Sequence, residues 1–381
     1  MHRSGAAGKA AQVRMTAPRP LRVLCIVPRG LKGRGGIETL FSHVDEALRG
    51  HPEFGIDMEF LASRGDASGP GWVLHFPFAF ARYLGLLATR RYDIVHLNGA
   101  TNASAWRKWL MQSAARLFGA ATVVHFHGSA FPKAGERRPA WVPVLRRVLE
   151  SADAIVVLGA YWRDFVAGFY GMEPERFDVV ANGVADFAPD APQDRPAGAP
   201  VRLLFAGNLT DAKGAGALLR ALSLLSANLP DWRATFAGTG DVPGFREEAS
   251  RLGLSERVEF TGWVAREAIL PLYRQADIVV LPSRNEVLPV CLLEGACAGA
   301  ALVATPVGSV PDVLHEAGNG LTIRPDDAEG IADALAQLID DDKRREAFRA
   351  VSRRIYLDRF GLETMIAGLR DVYRKALSAR R

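Results

Sequence analysis

Cysteine is scarce. Three residues in 381, at positions 25, 291 and 297, form no Cys-x-x-Cys pair and sit in apolar runs. They read as reduced core thiols of a cytosolic protein, which excludes a disulfide scaffold. No His/Cys cluster has zinc spacing, and no Asp-x-Asp follows a strand, so no metal site is expected. No Gly-Lys-Ser/Thr closes a Walker loop. No apolar run reads as a membrane span, and the first twenty residues, rich in Gly, Ala, Arg and Pro, lack the apolar centre of a signal peptide. They are expected to be a disordered leader.

What is present is ordinary globular material: 49% hydrophobic and 23% charged residues, enough for two cores. Net charge is +5 and uneven, with 23 Lys and Arg against 17 Asp and Glu over residues 1–190, and 24 against 25 after that. The basic half suits acidic lipid, a phosphorylated substrate or a plain solvated surface. Nothing calls for a nucleic-acid partner.

Short apolar runs alternate with helical ones. Leu21–Pro28, Tyr92–Leu97, Ala121–Gly128, Ala154–Leu158 and Phe177–Ala181 read as strands, with helices such as Ala103–Phe118 and Val142–Ser151 between them. Residues 186–200 are a Pro/Ala/Asp-rich linker, and the pattern restarts at Val201–Ala206. The fold class expected is α/β, with two Rossmann-like domains facing across a cleft. The N-terminal domain covers 21–190 and the C-terminal domain 200–357. A C-terminal helix within 358–381 is expected to return to the N-terminal domain. Trp72–Leu87 is aromatic with basic residues near its end, and suits a membrane surface, an acceptor groove or a core helix.

Several loops sit where strands feed helices. Gly30–Gly36, containing Gly35 and Gly36, is either a phosphate-approach turn or a simple tight turn. Gly207-Asn-Leu-Thr-Asp-Ala-Lys-Gly214 puts Lys213 at a strand-to-helix junction, an anion site. His127 ends a strand just before Gly128. After the apolar run Asp277–Pro282, a loop holds Glu286, and a helix starting near Pro289 holds Glu294 eight positions on. Free N–H groups of a first helical turn suit phosphate, and carboxylates accept from sugar hydroxyls. Phosphates beside hydroxyls describe a sugar nucleotide.

In that order the motifs resemble the GT-B glycosyltransferases, specifically the retaining family-4 group, over nearly the whole chain from about residue 21. Glu286/Glu294 matches the Glu-x7-Glu signature, and 207–214 the Gly-Arg-Leu-x-x-x-Lys-Gly loop. Ala181-Asn-Gly-Val184, Thr305–Asp312, Gly35-Gly36 and His125–Gly128 match further family segments. The resemblance implies that Glu294 holds the donor ribose, and that Glu286 contacts the donor sugar or the charge at the reacting carbon. It implies that Lys213, with the backbone of Leu288, Val290 and Cys291, neutralises the diphosphate. Gly207, Asn208, Gly35 and Gly36 would approach the same nucleotide, Trp263 and Val264 would lie beside the base, and His127 would contact sugar or acceptor. Transfer from a UDP- or GDP-sugar to a saccharide or lipid-linked saccharide is implied, in surface polysaccharide assembly at the inner membrane face, with no cofactor. The chain departs from the pattern at Asn208, where the family has Arg, at Val287-Leu288-Pro289 for Gly-Phe-Gly, and at Ser309 for Gly. Arg34 or Arg284 are the cations that could compensate. A catalytically silent binding protein and a UDP-sugar 2-epimerase share the fold; product analysis separates the epimerase, which needs no acceptor, and calorimetry showing nucleotide-sugar binding without turnover would mark the silent protein.

Overall fold

A computed structural model describes residues 19–31, 36–64, 72–99, 103–128, 139–188, 198–315 and 318–380, together with 131, 136 and 196. Residues 1–18, and with them nearly all of the expected leader, lie outside the described residues, as do Arg34 and Gly35.

The first half alternates strand and helix: β1 (Leu21–Val27), α1 (Gly36–Gly50), β2 (Ile56–Ala62), α2 (Trp72–Thr89), β3 (Ile94–Gly99), α3 (Ala103–Leu117), β4 (Ala121–Phe126), α4 (Trp141–Glu150), β5 (Ala154–Val157), α5 (Ala160–Tyr170) and β6 (Phe177–Val179). The second half holds β7 (Val201–Ala206), α6 (Ala215–Ser223), β8 (Trp232–Ala237), α7 (Val242–Arg251), β9 (Val258–Gly262), α8 (Arg266–Gln275), β10 (Ile278–Leu281), α9 (Val290–Cys297), β11 (Ala301–Ala304), β12 (Gly320–Thr322), α10 (Ala328–Asp340) and α11 (Asp342–Arg359). The last helix is α12 (Leu362–Ser378).

The strands form two parallel six-stranded sheets, ordered β2-β1-β3-β4-β5-β6 and β12-β11-β10-β7-β8-β9. Parallel strands need helical crossovers, and the crossovers cover both faces. That is why β3, β4, β5, β10 and β11 are buried along their whole length. One face of the first sheet packs on α1 and α12, through Phe41, Val44, Ile366, Leu369 and Tyr373. The other face packs on α2 to α5, through Tyr83, Met111, Leu145 and Trp162. The second sheet has one continuous core.

Each sheet reverses its strand order once, between β1 and β3 in the first and between β7 and β10 in the second. Loops leaving the carboxyl ends of such neighbours diverge to opposite faces and open a crevice, where open α/β sheets bind ligands. Lys213 follows β7 and Glu286 follows β10, so topology alone sets them side by side.

The chain passes from the first half to the second at Val184 and returns at Gly361, and these residues pair as a parallel bridge. The Val184 N–H donates to Phe360 O at 3.0 Å, and the Leu362 N–H donates to Val184 O at 3.0 Å. Met365, Ile366, Leu369, Val372 and Tyr373 of α12 are buried against the first sheet. The Tyr373 hydroxyl lies 2.7 Å from His96 Nδ1 beneath β3.

Helix α2 contains Pro77 and is amphipathic rather than wholly buried. Tyr83 and Leu87 enter the core, while Leu74 and Phe78 are each 78% exposed.

Candidate active site

The loop after β7 turns back on itself at Gly214 (φ +76), where a Cβ would meet the Pro282 carbonyl oxygen at 2.3 Å. Only glycine permits that approach. The Arg284 N–H then donates to Ala212 O at 2.9 Å, tying this loop to the one after β10. The result is a close ion pair: Lys213 Nζ lies 2.6 Å from Glu286 Oε1, with the Glu286 side chain 8% exposed and that of Lys213 33% exposed. The Glu286 loop is braced from behind. The Ser309 N–H donates to Val287 O at 2.9 Å, and a Cβ on Gly308 (φ +58) would sit 2.0 Å from Glu286 O.

Helix α9 starts at Val290, with Pro289 extended (φ −73, ψ 119) as its N-cap rather than inside the first turn. The proline therefore takes no N–H from the first turn. Leu288 is buried and its carbonyl accepts from Asn182 Nδ2 at 3.3 Å. Val290 and Cys291 stay half-buried at the helix entrance, and Glu294 lies one turn further in.

A cavity of about 400 Å³ opens beside this pair of loops. From the second half it is lined by Gly207, Asn208, Trp263, Val264, Cys291 and Glu294, among others, and from the first half by Leu31, Thr39, Ser42 and His43. Burial pushes the Glu294 carboxyl up to about 7, while the Tyr273 hydroxyl and the Arg266 guanidinium pull the other way. The Arg266 guanidinium also meets His43 Nδ1 at 3.1 Å, linking α8 to α1 across the cleft. Burial and that same guanidinium hold the His43 imidazole down at about 4. His43, Arg266 and Tyr273 carry no motif, and a periodic pattern cannot tell a helix face turned to a cleft from one turned to a core.

His127 follows the carboxyl end of β4 in the first half and is not among the residues lining this cavity. Its Nε2 lies 2.9 Å from Asn98 Oδ1 at the end of β3, and its ring centre lies 4.1 Å from that of His125, the two planes tilted by 38°. Burial first, and the Lys108 ammonium second, hold the His127 imidazole at about 3, so it is neutral and can offer one donor and one acceptor. Gly36 begins α1, with open space where a side chain would go. Asn208 Oδ1 accepts from Thr239 Oγ1 at 2.7 Å. Arg284 is engaged by Asp326, at 2.7 and 3.0 Å, on an exposed surface, and among the described residues Arg266 is the arginine that lines the cavity. Among the described residues no three His, Cys, Asp or Glu gather closely enough to hold a metal ion.

The two halves also touch away from the cavity. Trp162 Nε1 of α5 donates to Val287 O at 3.1 Å. At the start of the same helix a Cβ on Gly159 would lie 2.0 Å from Ser309 Oγ and 2.5 Å from Asp312 Oδ2. Ser309, bulkier than glycine, thus faces a residue with no side chain.

The chain's likeness to known proteins fits this geometry. Residues 189–354 match the family described as Glycosyl transferases group 1, and residues 59–183 match the Glycosyl transferase 4-like domain. The D-inositol 3-phosphate glycosyltransferase of Xylanimonas cellulosilytica is 30% identical over 336 residues, 82% of this chain and 78% of that protein. The protein of that name from Corynebacterium kroppenstedtii is 28% identical over 250 residues, covering 61% of this chain and 55% of that one. Among solved structures, the sucrose-phosphate synthase of Thermosynechococcus elongatus superposes with a TM-score of 0.76 over 94% of this chain and 100% of that one, at 18% identity. Anabaena Alr3699/HepE, solved in complex with UDP, gives 0.71 over 92% and 99%, at 16% identity. The chain belongs to the group 1 glycosyltransferases, GT-B enzymes of the family-4 type.

Proposed function

We propose that the enzyme moves a sugar from a nucleoside-diphosphate donor to a saccharide or lipid-linked saccharide, with retention at the anomeric carbon, in surface polysaccharide assembly. The observation that carries this reading is the Lys213–Glu286 pair, 2.6 Å apart and next to a cavity that reaches Glu294. Structures of Anabaena Alr3699/HepE with UDP and with UDP-glucose support a UDP-sugar as the first donor to try.

In this reading the nucleoside lies in the cavity. Glu294, ionised, accepts from the ribose hydroxyls, and Trp263 and Val264 flank the base. The diphosphate points toward Lys213 and the first turn of α9. As the bond from C1 to the diphosphate oxygen breaks, its electron pair goes to the diphosphate, and the ammonium and helix N–H groups stabilise the charge. The acceptor oxygen bonds to C1 from the same face, and its proton passes to the departing phosphate oxygen. Glu286 faces the positive charge that develops at C1 and the ring oxygen. Neutral His127 orients sugar or acceptor from the first half.

A peripheral contact with acidic membrane belongs to the same proposal. Leu74 and Phe78 on α2 and Trp106, Trp109 and Leu110 on α3 are exposed, and the two helices are joined by Tyr83 OH donating to Met111 O at 2.8 Å. Among the described residues no helix is long and apolar enough to cross a membrane. Co-sedimentation with anionic vesicles, lost in the Leu74→Ser, Phe78→Ser double variant, tests this part.

Turnover with a panel of UDP-, GDP- and ADP-sugars tests the reaction, with product anomers read by NMR. Glu286→Ala and Glu294→Ala are each expected to cut transfer sharply. Full turnover in both would refute the site assignment.

A further inference from the structure

Asn98 sits near the end of β3, 1% exposed, beside the point where the first sheet reverses its strand order. Its side chain joins two neighbours. Nδ2 donates to Ile26 O of β1 at 3.2 Å and to the Cys25 sulfur at 3.3 Å. Oδ1 faces His127 Nε2 at 2.9 Å. A backbone carbonyl can only accept, so Ile26 fixes which way round the amide lies. The atom turned to the imidazole is therefore the oxygen, and the ring nitrogen opposite it must carry hydrogen. The other neutral form would set two acceptors against each other at 2.9 Å.

Among the described residues no other group competes for this ring. The His127 N–H donates to Gly99 O at 2.9 Å, which pins its backbone beside β3. The ring of His125 lies 4.1 Å away, but both of its nitrogens are buried and make no hydrogen bond. Lys108 acts on the ring through its charge, and its ammonium has no hydrogen-bond partner. His127 is half-buried, and among the described residues its Nδ1 makes no hydrogen bond. One nitrogen is thus committed to Asn98, and the other keeps its lone pair.

We propose that Asn98 is a positioning residue for transfer: it holds His127 as the Nε2–H form, so that the nitrogen offered to substrate, Nδ1, accepts a hydrogen bond from a sugar hydroxyl. The inference rests on the transfer reading above, in which His127 meets sugar or acceptor, and it sets what kind of group His127 can meet. A bare ring nitrogen takes a hydroxyl and rejects a carboxylate or phosphate oxygen, which would bring a second lone pair. Burial keeps the ring from resolving that conflict by taking a proton. At 1% exposed, Asn98 does not itself reach substrate. It acts through the tautomer and orientation of the ring, both of which are set by the hydrogen bond that the other nitrogen makes.

The test is long-range proton–nitrogen NMR on the full chain with isotope-labelled histidine rings. The chain has eight His, and His127→Asn identifies the His127 signals by their loss. In wild type, Nε2 is expected to carry hydrogen and Nδ1 none. UDP-glucose is then added, followed by the other sugar nucleotides of the panel and the saccharide that the turnover assay identifies as acceptor. At least one should move the Nδ1 signal while leaving that nitrogen unprotonated. Asn98→Leu removes both amide groups at similar volume. It is expected to release the tautomer, giving Nδ1–H or a mixture, and to lower kcat/KM at least about tenfold. Asn98→Asp still places an oxygen opposite Nε2–H, and is expected to keep the wild-type tautomer and most of the transfer. A merely structural asparagine would leave the tautomer alike in both variants. Hydrogen on Nδ1 in wild type overturns the inference, and that measurement needs no variant to fold. An unchanged His127 spectrum in folded Asn98→Leu, or an Nδ1 signal that none of these probes moves, overturns it as well. Failure of the transfer reading is separate: it shows as absent turnover in wild type across the panel, while the ligand-free spectra still decide the tautomer.

Discussion

Replacing Lys213 with methionine separates the structural work of the ion pair from its chemical work. Lys213 Nζ is 2.6 Å from a Glu286 carboxylate that is 8% exposed. Without the ammonium that carboxylate keeps its burial and loses its partner. For a fully enclosed pair the loss would be about 3–5 kcal/mol. Lys213 is one-third exposed, so water can reach the vacated space and the cost falls toward ~1–3 kcal/mol. The chemical loss is separate. Removing one preorganised group that stabilises developing negative charge costs ~3–4 kcal/mol, or about 10²–10³ in kcat. A second variant resolves the two: Lys213→Met combined with Glu286→Gln removes both charges together. Thermal melting should fall in the single variant and recover in the double, while kcat stays low in both. The reasoning is refuted if the single variant keeps kcat within about threefold of wild type, or if the double recovers kcat along with stability.

Two further expectations follow from the site and its seam. Glu294 has its folded pKa raised to about 7 by burial, from an ordinary value of 4.5. A carboxyl raised in the fold favours folding below its ordinary value, and that contribution is lost as pH climbs through 4.5 to 7. Glu294→Gln should therefore gain stability over wild type as pH rises through this window, by on the order of 3 kcal/mol at most. The affinity of wild type for UDP should rise over the same range, while that of the variant stays flat; parallel melting and binding curves for the two proteins would contradict this. Gly159→Ala would drive a Cβ to 2.0 Å from Ser309 Oγ. It should lower kcat by displacing the Glu286 loop, and Ser309→Gly in the same chain should restore most of the loss. No rescue in the double variant would mean that the seam does not position that loop.

How much of this was legible differs from level to level. The α/β class followed from apolar runs such as Ile278–Leu281 alternating with helical stretches, because a strand buried on both faces needs no polar alternation. Lys213 and Glu286 were visible as separate signals 73 residues apart. Their contact depends on strand order, which a linear pattern does not encode. The linked residues His43 and Arg266, 223 positions apart, left no local mark, since each sits on an amphipathic helix like any other. Pro289 was legible as a helix start, and its shift to the cap is within the usual play of helix ends. The complementarity of Gly159 and Ser309 was hidden, because a missing Cβ means something only beside the atom that fills its place.

The return of α12 has a consequence for anyone cutting this chain. The outward and homeward crossings at Val184 and Gly361 touch each other, so both covalent connections meet at a single pivot. A fragment ending in the linker would strip Ile366, Leu369 and Tyr373 from beneath its own sheet and leave His96 without its hydroxyl partner. The first half is therefore a non-contiguous folding unit, completed only when α12 has been synthesised. Chimeras with relatives should exchange residues 200–360 as an insert, rather than dividing the chain at the linker.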